Sequence, residues 1–200
     1  MYTVKDVDDH AGAGRMSQIA EPKTRYTVAE YDQLPESMLP TELIDGEILV
    51  SPAPLIIHQR TLLSLLRVLE SRIQNGELLI APVDVQLDDS NVFQSDLLWI
   101  AEGNERCTVT EQRVIGAPDL VIEIVSKGTE RRDRVQKFQL YEKYGVREYW
   151  IIDLKLKTVQ VWSLQGSEFI SLGSYTVEEV FESPVLQKAV IVADAFPKTT

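Results

Sequence analysis

A chain of 200 residues suffices for one domain of ordinary size, and a composition 44% hydrophobic and 26% charged excludes a disordered or low-complexity protein. The single cysteine, Cys107, excludes an intramolecular disulfide framework and a multi-cysteine zinc or iron–sulfur site, and suits a reducing compartment. A net charge of −11 excludes a protein held to nucleic acid by its overall field, although uneven charge leaves room for a local basic site.

Residues 1–24 mix Gly, Ala, Asp and Lys without an apolar period and read as a tail, disordered by composition. They lack the apolar core of about 7–15 residues of a signal peptide. No stretch of the chain reaches the roughly 20 apolar residues of a membrane helix, so the chain reads as soluble and cytoplasmic. The ordered part is expected to be one domain over 25–200. It starts with Thr27 and Glu30 at capping-box spacing, predicting a short helix with Tyr31 and Leu34 inward. ELIDGEILV at 42–50 is a hairpin signal, because Asp45-Gly46 supplies the positive-φ pair of a tight turn. Pro52 and Pro54 break the second strand.

Between His58 and Ile73, Leu62, Leu65, Leu66, Leu69 and Ile73 recur at helical spacing, and Asn75-Gly76 ends the pattern. Strands are expected at Pro82–Leu87, Phe93–Ile100 and Asp119–Val125, with Glu102–Gly116 a polar loop. A helix over Thr129–Tyr144 turns Val135, Phe138 and Tyr141 to a core and stops at Gly145. Strands follow at Glu148–Asp153, Thr158–Trp162 and Glu168–Leu172. Trp150 reads as core and Trp162 as a residue able to face a partner. The crossover from Asp119–Val125 to Glu148–Asp153 implies an α/β fold with a mixed central sheet and at least one parallel pair.

Three features carry chemistry. Glu123 is the one charge in the apolar run Leu120–Val125, which reads as a strand buried on both faces. A carboxylate there must be paired, protonated or bound to a cation. Asp96 interrupts VFQSDLLWI on the face of Leu98 and Ile100. Each alone reads as a structural ion pair or a cap. Together, two carboxylates converging on one point suit a hard divalent cation. The third feature is the basic segment 127–147, with seven cations against Glu130, Asp133 and Glu142. Arg134, Lys137 and Tyr141 share a side of a regular helix there. Such a run is commonly a solvated face. Next to an acidic pair it suits a phosphate-bearing substrate.

The order of these elements resembles the PD-(D/E)XK nuclease core: helix, three strands, helix, strand, with acids on the second and third strands. TVAEY, ELIDGE, His58, Asp96, PDLVIEIVS at 118–126, the RRD helix and GVREYWIID at 145–153 resemble the Uma-type family of bacterial putative restriction endonucleases, over roughly 25–195. The resemblance implies a restriction endonuclease-like fold (αβββαβ) with an N-terminal hairpin. It also implies Mg²⁺-dependent hydrolysis of DNA phosphodiester bonds, Mn²⁺ substituting, with RNA not excluded as substrate. Asp96 and Glu123 match the metal-binding acids, the Ile124 carbonyl the next ligand, and Glu47 the upstream acid. His58 matches an upstream histidine, which by composition alone reads as a helix N-terminal residue. Val125 stands where the motif expects lysine. Lys137 on the following helix matches the replacement, and Lys127 is the nearer alternative. Ser95 replaces the motif's proline, which donates nothing. Lys127, Arg131, Arg132, Arg134 and Tyr141 are the expected substrate contacts. The implied partner besides DNA is a second copy, each subunit cutting one strand. Val125 and the acidic composition favour the competing reading, a decayed nuclease fold that binds or assembles.

Overall fold

The computed structural model describes residues 25–35, 37–125 and 132–197, with Arg132 and Asp133 described in backbone alone. The described residues form two six-stranded sheets and a two-stranded hairpin. Helix α1, Val28–Tyr31, opens as its sequence requires: the Glu30 carboxylate accepts from both the backbone N–H and the hydroxyl of Thr27. Strands β1 (Thr41–Ile44) and β2 (Glu47–Val50) follow, with Asp45 at φ 49° and Gly46 at φ 78°. Both central turn residues are left-handed, matching the twist of the hairpin strands.

Helix α2 spans Ile56–Glu70, two residues earlier at its start and three at its end than the apolar period suggests. The chain then forms β3 (Glu77–Ile80), β4 (Asp84–Asp88), β5 (Asn91–Gln94) and β6 (Leu97–Ile100). Next come β7 (Cys107–Val109), β8 (Arg113–Gly116) and β9 (Leu120–Val125). A wide π-helical turn, Arg132–Lys137, leads into α3, Phe138–Tyr144. Gly145 ends it at φ 86°, donating to the Tyr141 and Glu142 carbonyls. The remainder is β10 (Glu148–Asp153), β11 (Thr158–Gln165), β12 (Glu168–Thr176), β13 (Val180–Ser183), β14 (Lys188–Ile191) and α4, Val192–Ala195.

The first sheet runs β2-β1-β5-β4-β8-β7, and the second β12-β11-β10-β9-β6-β3. The expected crossover is present, because β9 and β10 pair in parallel through the 132–144 helical segment. Both strands are buried along their whole length, as a parallel pair covered on both faces must be. One face of the second sheet packs Leu120, Ile122, Ile124 and Trp150 against Leu62, Leu65 and Leu69 of α2. The other packs Val121, Val125, Tyr149 and Ile151 against Leu140 and Tyr141 of α3.

Several sequence expectations need correction, among them Val135, which is exposed and not turned to a core. The first core strand is Glu77–Ile80, not Pro82–Leu87. The latter region supplies β4 to the other sheet. Phe93–Ile100 is split at Ser95 and Asp96, where the chain leaves the first sheet and enters the second. The polar stretch Glu102–Gly116 holds a real hairpin, β7 against β8. Trp150 is core, as expected. Trp162 is half-buried, its ring edge-on to Phe138 at 4.9 Å, which makes it a packing residue here. The expected tail, 1–24, lies outside the described residues. Burial raises the Cys107 thiol pKa to about 11, so it stays protonated and inert near neutrality.

Gly76 joins α2 to β3 at φ +83°, where an added Cβ would lie 2.2 Å from the Ile100 carbonyl oxygen. Gly76→Ala is therefore expected to cost upwards of about 2 kcal/mol. In a thermal melt this lowers Tm by about 4–8 °C. Glu148 is a buried carboxylate that accepts from Trp150 Nε1 at 2.6 Å and Val185 N at 3.0 Å, tying the C-terminal hairpin to β10. Burial raises its pKa above the ordinary 4.5. The folded state thus binds this proton more readily than the unfolded chain, so the group's contribution is fully present below pH 4.5 and is lost as pH rises through the raised value. Glu148→Gln should remove that part of the pH dependence. Urea unfolding of both proteins at pH values above 4.5 measures it.

Candidate active site

The two sheets meet at one corner, where the buried charges of Glu42, Glu123 and Lys137 gather. Leu97 and Leu98 of β6 face Ile122 and Val121 of β9. Continuing that register places Asp96 across from Glu123. Asp96 does not extend the ladder by its backbone alone: its Oδ2 accepts from the backbone N–H of Ile124 at 2.7 Å. Its own carbonyl accepts from Ala81 N at 2.9 Å. Its Oδ1 lies 3.1 Å from His58 Nε2 in the first turns of α2. His58 Nδ1 is buried with no hydrogen-bond partner among the described residues.

Glu123 projects from β9 to the α3 side of the sheet, the side of Val121 and Val125. Its Oε1 accepts from Lys137 Nζ at 2.9 Å and from the Tyr141 hydroxyl at 2.9 Å. The same ammonium lies 2.8 Å from Oε1 of Glu42 on β1. That Glu42 oxygen also accepts from Gln94 N at 3.0 Å. Tyr141 reaches Ser95 Oγ at 2.8 Å. Glu42, Glu123 and Lys137 are each no more than 3% exposed. Charges so deep persist only when paired and hydrogen-bonded, and here each is. Lys137 thereby joins an acid from each sheet. Burial and the neighbouring Glu123 charge hold the Tyr141 phenol pKa well above its usual range. The hydroxyl therefore stays protonated and donates to the carboxylate. The Phe93 ring lies edge-on to Tyr141 at 5.4 Å and closes the apolar wall.

Of the residues singled out in the sequence, the structure thus groups Glu123, Lys137 and Tyr141 on one side and Asp96 with His58 on the other, the two groups adjoining along the backbone at Ser95–Asp96 and Glu123–Ile124. It adds Glu42 and Ser95. Glu47 is not part of the group: it is exposed at the turn end of β2, opposite Ile44, while Glu42 occupies the buried position. Strand parity puts Glu42 on the face of Ile44, but Glu47, paired with Ile44, shares that face, so parity does not choose between the two. Arg134 is also apart from it. Its guanidinium bonds Asp153 Oδ2 at 2.7 Å and Gln160 Oε1 at 2.5 Å, at the end of β10. Val125, at the motif's lysine position, is buried in the core beside α3. Lys127 and Arg131 lie outside the described residues, as does the side chain of Arg132. Asp119, at the other end of β9, is structural: it accepts from Ala101 N, Asn104, Arg106 and Arg147.

Among the described residues no group of three or more His, Cys, Asp or Glu is arranged to hold a metal ion. A cation at this corner would rest on the Asp96 and Glu123 carboxylates, the Ile124 carbonyl and water. That oxygen set, short of protein donors, fits Mg²⁺ or Mn²⁺. Nε2 of His58 is engaged with Asp96, so this histidine would orient that carboxylate and not itself be a ligand.

The fold has a solved counterpart. A crystal structure of a "putative nuclease" of DUF820 from Anabaena variabilis superposes with a TM-score of 0.69, covering 85% of this chain and 97% of that one, at 22% identity. The protein has the restriction endonuclease-like α/β fold of that neighbour. The uncharacterized protein sll1609 of Synechocystis is 30% identical over 132 residues, which is 64% of this chain and 74% of the relative. Residues 28–193, from the start of α1 into α4, match the Uma2 family, described as "Putative restriction endonuclease". With its site corner, its fold and most of its length inside that match, the chain belongs to the Uma2 family.

Proposed function

We propose that the protein is a metal-dependent endonuclease that hydrolyses DNA phosphodiester bonds at the corner between the sheets. The observation that supports this reading is the pair of acids on neighbouring strands, Asp96 accepting from the Ile124 N–H and the buried Glu123 paired with Lys137. Family membership supports it. Asp96, Glu123 and the Ile124 carbonyl would hold the cation, with His58 fixing the orientation of Asp96. A bound divalent ion supplies polarisation of the phosphoryl oxygen and an attacking water of lowered pKa. Lys137 donates to the charge that develops on the phosphoryl group, from a fixed position in a low-dielectric setting. Tyr141 holds Glu123 in place. Lys127, Arg131 and Arg132 contact the flanking phosphates. Arg134 keeps the start of the helical segment on β10 through Asp153. DNA is the expected substrate, and a labelled RNA of the same sequence tests the alternative.

A second reading has its own observation. Lys137 is held between two carboxylates and Val125 replaces the motif's lysine, which suits a nuclease fold that binds without cutting. Calorimetric titration of Mn²⁺ into wild type and Glu123→Gln decides between them, followed by incubation with supercoiled plasmid. Binding that is lost in the variant, together with nicking, is the expected result. A wild type that takes up no Mn²⁺, with or without duplex DNA, overturns the enzymatic reading. Among the described residues no helix is long and apolar enough to cross a membrane.

A further inference from the structure

Ser95 belongs to neither sheet. It stands between β5, which ends at Gln94, and β6, which begins at Leu97, and it is wholly buried. Its side chain and that of Asp96 point to opposite sides, as alternation along an extended segment requires. Asp96 turns to His58 of α2. Ser95 turns to α3, where its hydroxyl lies 2.8 Å from the Tyr141 hydroxyl, its one hydrogen bond among the described residues. By motif alone Ser95 is an inert exchange for proline. In the structure it is a polar group with a single buried partner.

Chemistry fixes the direction of that bond. A phenol has one proton, and an ionised carboxylate only accepts. Glu123, paired with Lys137, draws the Tyr141 proton more strongly than a neutral hydroxyl does, and takes it at 2.9 Å. Ser95 must therefore donate to the Tyr141 oxygen. The result is a one-way chain from Ser95 through Tyr141 to Glu123, in which each bond polarises the next. A second tie runs beside it, because Asp96 Oδ2 accepts from the Ile124 N–H at 2.7 Å. Two consecutive residues of one segment thus grip two consecutive residues of β9, Asp96 directly and Ser95 through Tyr141.

We infer that Ser95 is a positioning residue, whose hydroxyl acts through Tyr141 to set where the Glu123 carboxylate stands relative to Asp96. Without that hydroxyl the Tyr141 oxygen loses the donor that holds it, and Glu123 loses a fixed partner. The spacing of the two acids governs how well they can share a cation. That consequence rests on the nuclease reading; the hydrogen-bonded chain does not.

Carbon-13 NMR of metal-free protein labelled at the glutamate carboxyl tests the chain, with Glu123→Gln identifying the Glu123 resonance. Ser95→Ala is expected to shift that resonance in wild type and to leave it in place in a Tyr141→Phe background. Alanine keeps the β-carbon and adds no bulk, so circular dichroism should match wild type. A resonance that Ser95→Ala does not move, or moves equally with and without the phenol hydroxyl, overturns the inference whatever the protein binds. Calorimetric titration of Mn²⁺ reads the consequence. Ser95→Ala should bind about tenfold more weakly than wild type, the scale of losing a partner that orients a ligand. Equal affinity in the two proteins overturns the positioning role. A wild type that takes up no Mn²⁺ counts against the nuclease reading, and the Glu123 resonance then decides the inference by itself.

Discussion

Lys137→Met is expected to cost about 3–5 kcal/mol of folding stability, because removing one partner of a buried ion network leaves uncompensated charge. Two carboxylates from different sheets meet its ammonium within 2.9 Å. Methionine keeps the length and the apolar stem of the side chain, so the loss reports the charge and its hydrogen bonds. Urea unfolding at fixed pH measures it as a shift of the midpoint at unchanged slope. Glu42→Gln in the same background completes a double-mutant cycle. Groups in direct contact return coupling of about 0.5–3 kcal/mol. Additive losses would show that Lys137 and Glu42 do not hold the sheets together.

Asp96→Asn is expected to lower DNA cleavage by about 10²–10³-fold or more, the scale of removing one preorganised polar group from a reacting centre. The fold should survive. The asparagine carbonyl can still accept the Ile124 N–H that Asp96 now accepts at 2.7 Å. What disappears is the negative charge, and with it the affinity for a hard cation. Plasmid nicking at saturating Mn²⁺, compared with a melting curve of the same preparation, separates the two contributions. Unchanged nicking in a folded Asp96→Asn protein would remove Asp96 from the machinery.

Glu123 was legible because one carboxylate stood in a six-residue apolar run, and a run buried on both faces offers no water to a charge. The hairpin was legible because Asp45-Gly46 has few conformational options. Other parts were hidden for identifiable reasons. Glu77–Ile80 is only four residues long, and its consecutive Leu78, Leu79 and Ile80 show no alternation to mark a strand. The β7–β8 hairpin is largely solvated, with little apolar pattern to betray it. Arg134 misled through geometry. Its alignment with Lys137 and Tyr141 assumes a regular helix, but Arg132–Lys137 forms a π-turn, whose i→i+5 bonding widens the turn and moves Arg134 off that line. Glu42 and Glu47 stand on paired strands of one short hairpin. Only the packing of that hairpin on its neighbours decides which carboxylate is buried.

The corner at Ser95 and Asp96 has a consequence for how this chain can vary. One continuous segment leaves one sheet at Gln94 and joins the other at Leu97. Side chains alternate along it, so a single inserted or deleted residue between Phe93 and Leu97 would reverse every side chain beyond it. Trp99 would then point where Leu98 packs, and Asp96 would turn away from Ile124 and His58. Bulges elsewhere in the fold absorb such slips, as at Val161/Trp162. Here both flanking strands are committed to different sheets, with nowhere to absorb one. The passage from Phe93 to Leu97 is fixed in length as well as at Asp96.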